Sequence, residues 1–281
     1  MSQVKVITDS AADIPERICG ELNIGVVPLT IRFGDTEYID KVNLKTDKFW
    51  ELCLAAKELP QTAAPSPGQF QEAFEKARAD GYQEIVCITL SSSLSATFQS
   101  ATLAAEAVSA DIDVAIIDSR SATVGQGGLV LDAATRAAAG AGLEEIQKVI
   151  KSELERVRVF GALDTLDHLK RGGRIGAATA LLGSLLSFKP LIEIRDGVVE
   201  PDGRQRTRSR ALNHLIEKVS SHRGLSHLAV VHAQAPDIDD FLGRLSSATG
   251  IAVNDIFVSE IGPVIGTHAG PRTLGVSFWT E

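Results

Sequence analysis

Cysteine, positive net charge and long apolar runs are all scarce in this chain of 281 residues. The three cysteines, Cys19, Cys53 and Cys87, are an odd number at wide spacing, which indicates a reducing compartment without a disulfide framework or zinc site. The net charge of −8 argues against binding to nucleic acid or to an anionic membrane surface through charge alone. No run of about 18 apolar residues is present that could span a bilayer.

The motifs of common catalytic classes are also missing. The histidines form no HExxH sequence or similarly tight cluster, and the cysteines are not spaced with them as metal ligands. A G-x-S-x-G nucleophile elbow is absent, and the glycines of residues 125–128 lie in or just before a predicted helix, which is the wrong context for a dinucleotide fingerprint. These absences argue against metal, nucleophilic and hydride chemistry.

The first 160 residues predict an α/β domain. Short apolar runs alternate with longer amphipathic stretches, which is typical of a parallel sheet flanked by helices. Asp13 and Glu16 are spaced as a capping box around Pro15, and Ser66 is the expected cap of a helix that begins at Pro67. Strands are predicted at residues 4–8, 26–33, 36–39, 84–90 and 114–118.

The remaining residues, 161–281, predict an α+β domain with a mixed sheet. Strands are expected at 159–163, 191–199, 228–232, 255–260 and 274–279, and the Asp196-Gly197 pair marks a hairpin within the second of these. Residues 175–188 are strongly apolar with small residues interspersed, which predicts a helix that is buried or faces an apolar ligand.

A cluster of serines follows the predicted strand at residues 84–90. Four serines lie within residues 91–95, where their hydroxyls are expected to cap a helix beside unpaired backbone N–H groups. In parallel sheets, ligands bind beyond the carboxyl ends of the strands, and this edge also carries Asp9 and Asp118. A small anion such as a carboxylate fits this site better than a nucleotide, and a plain capped helix is the alternative.

Several motifs in a fixed order resemble the DegV family over nearly the whole chain. They are the TDSAAD sequence at residues 8–13, VPL at 27–29, Thr62 with Pro65, LSSSLSATFQ at 90–99, KRGGR at 170–174, and Gly262-Pro263 with His268. The resemblance implies a two-domain protein that binds a long-chain fatty acid in a tunnel between its domains. It also implies that a separate ATP-dependent kinase subunit phosphorylates the bound carboxylate to acyl phosphate for phospholipid synthesis.

The resemblance further implies site residues. The carboxylate-binding residues would be Thr62, Ser92, Ser93, Ser95 and His268, and Arg206 would contact the kinase subunit. The chain would be a lipid-binding subunit with no cofactor or metal of its own, located in the cytoplasm, and it would contact a membrane transiently for lipid exchange. Where many relatives have Thr-Ser-Gln-Pro, this chain has Ala63 and Ala64 in the middle positions, which removes two polar groups near the head group.

Two other functions compete with this interpretation. A stand-alone phosphate-handling α/β enzyme could use the serine cluster together with nearby arginines, although no general base can be assigned. A regulatory or nucleic-acid-binding module could use the alternate arginines of residues 204–210, although such a pattern is more typical of a solvated strand or helix start. The arginines of the enzyme alternative are Arg171, Arg174, Arg204, Arg206, Arg208 and Arg210.

Overall fold

The structure is a computed structural model that describes residues 4–56, 58–182 and 188–281. Its strands are β1 Val4–Asp9, β2 Gly25–Val27, β3 Thr30–Phe33, β4 Thr36–Ile39, β5 Gln61–Ala63, β6 Glu84–Thr89, β7 Asp113–Asp118, β8 Val157–Ala162, β9 Lys189–Arg195, β10 Val198–Gln205, β11 Ser226–His232, β12 Phe257–Glu260 and β13 Leu274–Trp279. Its α-helices are α1 Glu16–Glu21, α2 Thr46–Ala55, α3 Pro67–Ala79, α4 Thr97–Val108, α5 Thr123–Ala138, α6 Leu143–Glu153, α7 Asp167–Arg171, α8 Arg208–Ser220, α9 Ile238–Thr249 and α10 Pro263–Ala269. Within the described ranges, no helix has both the length and the hydropathy needed to cross a bilayer.

The first sheet is parallel throughout, as predicted, with the strand order β2-β1-β6-β7. Helices cover both of its faces, so the central strand β6 is buried along most of its length. Ile85 and Cys87 pack with residues of α3 and α4, whereas Val86 and Ile88 pack with residues of α5 and α6. This alternation follows from the two-residue period of a strand.

The second sheet has six strands in the order β10-β9-β8-β13-β11-β12. Its neighbouring strands are antiparallel except for β11 and β12, which are parallel, so the prediction of a mixed sheet is confirmed. The predicted hairpin at Asp196-Gly197 joins β9 to β10. Helices α8 and α9 cover one face of the sheet, where Leu215 and Phe241 are buried.

A small antiparallel sheet, β4-β3-β5, brings Thr62 into the interior of the fold. The predicted turn at Gly34-Asp35 joins β3 to β4, and Gly34 has a φ of 57°, which favours glycine. Strand β5 was not predicted from the sequence. It pairs Thr62 with Ile31 of β3, so a three-residue strand sets the position of a predicted site residue.

Division of the chain at residue 160 stays a prediction. Phe160 lies inside β8, which already belongs to the second sheet. Core residues from both parts of the chain also pack together, since Leu90 and Val124 belong to the same buried cluster as Val231 and Ile261. The two sheets therefore enclose a common apolar interior.

The two capping predictions near the first sheet's edge were wrong, whereas the Ser66 cap of α3 is confirmed by its bond from the Gln69 N–H. Helix α4 begins at Thr97, and its cap position, Ala96, has no capping side chain. The serines before it form a loop, in which the hydroxyls of Ser91 and Ser92 donate to Gly197 and Asp118. The Ser95 hydroxyl, one residue before the cap position, accepts a bond of 3.4 Å from the Thr97 N–H. Asp13 does not cap α1 either, because its carboxylate is turned into the interior.

The apolar stretch at residues 175–188 does not form the predicted α-helix. A short 3-10 helix covers Gly176–Leu181, and residues 183–187 lie outside the described part of the chain. Gly176 has a φ of 51° and packs against the backbone of Val199, so a regular α-helix cannot pass through it. Ile175 and Ala178 are nonetheless buried, as part of an apolar cluster with Leu163, as the sequence pattern indicated.

Asp13 joins three parts of the fold. Its carboxylate accepts hydrogen bonds from the Thr123 hydroxyl at 2.7 Å and from the Gly262 N–H at 2.9 Å. The Lys41 ammonium group lies 3.8 Å from the same carboxylate, and the Asp13 carbonyl accepts a bond from the Ser259 hydroxyl. Asp13 is 2% exposed, so these partners replace the water that a carboxylate needs.

We predict that Asp13→Ala lowers the free energy of unfolding by about 2–4 kcal/mol, because it leaves the Gly262 N–H and the Thr123 hydroxyl unpaired in the interior. Urea denaturation of delipidated protein measures the change without a contribution from bound ligand. Asp35→Ala, which removes an exposed carboxylate in the β3–β4 turn, is the matched control. A loss no larger than in this control would contradict the role of Asp13.

Candidate functional site

A central cavity lies between the two sheets and is lined mostly by apolar side chains. Strands β8, β9 and β10 contribute Phe160, Ile192 and Val199, and α10 contributes Val264. Leu90, at the end of the first sheet's central strand, lies on the opposite wall. The polar side chains of the lining are Thr62, Ser95, Thr123, Arg174, His268 and Thr273.

The hydroxyls of two of these residues have already given their one proton to the protein. The Thr123 hydroxyl donates to Asp13, and the Thr273 hydroxyl donates to the Ala269 carbonyl. Thr62, Ser95, Arg174 and His268 remain as the polar groups that a ligand in the central cavity can meet. We call these four residues the head-group cluster.

Thr62 and His268 are in direct contact, with 2.9 Å between Thr62 Oγ1 and His268 Nε2. Burial, reinforced by the positive charge of Arg174 and by His168, lowers the pKa of His268 to about 4, so its imidazole is neutral at pH 7. His268 Nδ1 is buried and has no hydrogen-bond partner within the described residues. Since an unpaired N–H is costlier than an unpaired lone pair, we assign the proton to Nε2, which donates to Thr62.

A glycine makes room for the His268 ring. A Cβ atom on Gly172 would lie 2.2 Å from His268 Nδ1, so any larger residue would displace the imidazole. A similar contact exists on the other side, because a Cβ on Gly270 would lie 2.7 Å from the ring of His168. The His168 Nδ1 atom lies 3.1 Å from the Thr267 carbonyl of α10. Helices α7 and α10 thus pack through two histidine and glycine contacts.

Arg174 carries the positive charge of the head-group cluster. Its Nε donates to the Leu94 carbonyl at 3.0 Å and its Nη1 donates to the Gly172 carbonyl at 2.7 Å. Ser95 directly follows Leu94, and its hydroxyl lies 2.9 Å from the hydroxyl of Thr97. The backbone of two loops therefore holds the guanidinium group beside the cavity.

Family comparison agrees with the motifs read from the sequence. A family model described as "Uncharacterised protein, DegV family" matches residues 3–281. The chain belongs to the DegV family. A DegV domain-containing protein of Caldanaerobacter subterraneus subsp. tengcongensis is 34% identical over 284 residues, which cover 99% of each chain. The resemblance inferred from the motifs is thereby confirmed.

Solved structures share the fold of this DegV chain. DegV from Bacillus subtilis, described as a fatty acid binding protein, is 31% identical with a TM-score of 0.88 and full coverage of both chains. A DegV family protein from Thermus thermophilus, named for fatty acid binding, is 29% identical with a TM-score of 0.89, covering 99% of this chain and 100% of that one. The Streptococcus pneumoniae Fatty Acid Kinase (Fak) B3 protein loaded with linoleic acid has the same fold at a TM-score of 0.86, with 22% identity and 100% coverage of both chains.

The structure of the DegV chain separates the sequence-predicted site residues into two groups. Thr62, Ser95 and His268 line the central cavity. Ser92 and Ser93 do not line it, since the Ser92 hydroxyl donates to Asp118 at 2.5 Å and Ser93 is exposed. Sequence reasoning did not assign Arg174 to the carboxylate, although it noted the KRGGR motif that contains this residue.

Two further predicted features lie outside the central cavity of the DegV chain. Arg206 is exposed in the segment between β10 and α8. The Ser91 hydroxyl donates to the Gly197 carbonyl at 2.7 Å, which attaches the serine loop to the β9–β10 hairpin of the second sheet. Within the described residues, no group of His, Cys, Asp and Glu side chains is arranged to hold a metal ion.

We predict that Gly172→Ala displaces the His268 ring and breaks its hydrogen bond to Thr62. The pKa of His268 should then rise from about 4 toward its ordinary value, because the ring loses its buried position. Titration of the imidazole by NMR measures this change. Gly243→Ala is the control, since nothing lies within 4 Å of a Cβ at that helical position. An unchanged His268 titration in Gly172→Ala would show that the contact does not position the ring.

Proposed function

We propose that this protein binds a long-chain fatty acid in the central cavity and presents its carboxylate to a separate ATP-dependent kinase subunit, which converts it to acyl phosphate. The observation that carries the proposal is an apolar cavity with the head-group cluster among its polar residues. The fatty acid binding named for the Bacillus subtilis and Thermus thermophilus relatives supports the ligand class. The kinase partner and a transient membrane contact for lipid exchange are the parts taken from family resemblance.

The acyl chain should supply most of the affinity. Burial of roughly 14 methylene groups at about 0.8 kcal/mol each offers on the order of 11 kcal/mol before the costs of association. Hydrogen bonds to a charged carboxylate add about 1.5–3 kcal/mol each. The apolar lining therefore determines how tightly the ligand is held, and the head-group cluster determines how its carboxylate is oriented.

The neutral state of His268 determines the direction of the hydrogen bonds. His268 donates from Nε2 to Thr62 Oγ1, so the Thr62 hydroxyl can donate its own proton to the ligand carboxylate, which accepts only. The Ser95 hydroxyl, which also lines the central cavity, can donate a second bond. This arrangement keeps the carboxylate ionised without a metal, and an ionised oxygen is the nucleophile that phosphorylation requires.

Arg174 suits the product better than the substrate. Phosphorylation replaces a singly charged carboxylate with a more negative acyl phosphate, and a guanidinium group binds phosphate oxygens strongly. Ala64 lines the central cavity but offers no polar side chain, so the head-group cluster supplies the polar contacts that the usual motif residues would otherwise share. We propose that Arg174 stabilises the phosphorylated head group.

The arrangement of the arginines does not favour the alternative of a stand-alone phosphate-handling enzyme. Arg208 forms a two-pronged hydrogen bond with Asp237, at 2.6 and 2.7 Å, and its charge is thereby neutralised. Ser92 is held at Asp118, away from the central cavity. Arg174 is the arginine of that set that lines the central cavity with the hydroxyls.

We predict that Ser95→Ala, Thr62→Ala and His268→Ala each lower acyl phosphate formation about tenfold or more while the protein keeps its fatty acid. The tail retains the ligand, whereas the lost hydroxyl or imidazole no longer orients the carboxylate. A reconstituted kinase assay measures turnover, and native mass spectrometry measures bound fatty acid. Ser92→Ala should change turnover less than twofold. Equal losses at Ser92 and Ser95 would contradict our placement of the carboxylate, and absence of bound or exchangeable fatty acid would overturn the function itself.

We predict that Arg206→Ala keeps its fatty acid and its melting temperature but loses acyl phosphate formation, because an exposed charge steers and docks a protein partner without contacting the buried ligand. Arg223→Ala is the matched control, since it removes an exposed arginine from the segment after α8. Lipid loss in Arg206→Ala would indicate a role at the carboxylate. Turnover equal to that of the control would remove Arg206 from the partner surface.

A further inference from the structure

Two glycines lie side by side where the second sheet forms a wall of the central cavity. Gly161 of β8 and Gly275 of β13 are paired directly across the antiparallel strands, and both line the cavity. Their neighbours in the same row are larger, since Gly161 is also paired with Ile192 of β9 and Gly275 with Val231 of β11. Because paired residues of neighbouring strands lie on the same face of a sheet, the whole row faces the cavity.

Larger side chains also enclose the glycine pair along the strands. Leu163 and Val159 lie two residues to either side of Gly161, and Thr273 lies two residues before Gly275. The period of a strand puts these three residues on the same face as the glycines, and all three line the central cavity. The pair therefore forms a depression in this wall, which we call the glycine depression.

The backbone does not require glycine at either position. Both glycines lie in unbroken strand register, and neither has a positive φ. A Cβ atom at Gly161 would lie 3.3 Å from the Ile192 side chain. At Gly275 it would lie 3.2 Å from the Val231 side chain and from the Phe160 carbonyl oxygen, so a small shift of the neighbours would admit it. Glycine inside a regular strand marks a place where another group approaches the backbone closely.

The head-group cluster lies beyond one rim of the glycine depression. The rim residue Thr273 donates to the carbonyl of Ala269, which directly follows His268 of that cluster. On the opposite rim, Val159 lies against α5, where a Cβ on Gly125 would be 2.4 Å from the Val159 side chain. A fatty acid whose carboxylate lies at the head-group cluster therefore crosses the depression with the interior of its acyl chain.

A local depression discriminates between straight and bent acyl chains. A straight chain that lies along the wall leaves the space above the two glycines empty, so it loses van der Waals contacts there. A cis double bond bends the chain, and the bend can fill the depression and regain those contacts. A trans double bond leaves the chain straight, so it gives no such gain.

We propose that the glycine depression selects fatty acids with a cis double bond in the interior of the acyl chain. Gly161 and Gly275 are then specificity-determining residues, which act through the absence of a side chain. This inference rests on the proposed fatty acid function of the central cavity, and it adds the class of acyl chain that the cavity prefers.

Competition between the cis and trans isomers of one acid tests the proposal. Delipidated protein is incubated with an equimolar excess of oleate and deuterium-labelled elaidate, and native mass spectrometry measures the occupancy of each. The two isomers have the same length and composition, so their ratio reports the shape of the chain. We expect the wild type to prefer oleate by about threefold or more. Equal occupancy by the two isomers would overturn the proposal, whereas no occupancy by either would overturn the fatty acid function on which it rests.

Two variants test the glycines themselves. Gly161→Ala and Gly275→Ala should each bring the ratio of oleate to elaidate close to one, because the added methyl group takes the space of the bend. Both isomers are measured on the same protein, so a loss of folded protein lowers both alike and leaves the ratio unchanged. Gly243→Ala, which adds a methyl group on α9 outside the cavity, is the control and should keep the wild-type ratio. A wild-type ratio in both of the strand variants would contradict the role of the glycines.

Discussion

The buried carboxylate of Asp13 connects the segments that enclose the central cavity. It receives donors from the first turn of α5 and from the residue before α10, and the Asp13 backbone holds Ser259 of β12. Asp13 has a φ of 51°, a conformation that aspartate tolerates better than most residues. The position of α10, and with it the position of His268 against Thr62, therefore depends on a carboxylate near the start of the chain.

Close backbone packing then determines the geometry of the head-group cluster. Gly172 lets His268 approach α7, and the carbonyl of the same residue holds the Arg174 guanidinium. One residue without a side chain thus positions both the neutral imidazole and the positive charge. Because these groups are held in place before a ligand binds, no binding free energy is spent on ordering them.

Two cavities of the described structure differ in the polarity of their linings. The central cavity is apolar along most of its lining, so burial of a hydrocarbon chain accounts for binding and the few polar groups account for orientation. A second cavity, at the carboxyl end of β1, is lined by many ionisable groups, among them Asp9, Asp13, Asp40 and Lys41. The hydrogen bond from Thr123 to Asp13 lies between the two, because Thr123 lines the central cavity and Asp13 lines the second one.

Features that depend on neighbours in the sequence could be predicted from it. The parallel sheet follows from alternating apolar runs, the Ser66 cap from a serine directly before Pro67, and the β3–β4 and β9–β10 hairpins from their turn residues. The family resemblance placed Thr62, Ser92, Ser93, Ser95 and His268 at one site, and three of these residues, Thr62, Ser95 and His268, line the central cavity.

What only the tertiary structure decided involves partners that are far apart in the chain. Ser92 bonds to Asp118 and Asp13 bonds to Gly262, so neither can cap the helix that its local spacing predicted. Arg174 enters the head-group cluster through the Leu94 carbonyl, a contact that no sequence spacing encodes. Local patterns determine secondary structure because short-range backbone geometry creates it, whereas the identity of a buried side chain's partner depends on how distant elements pack.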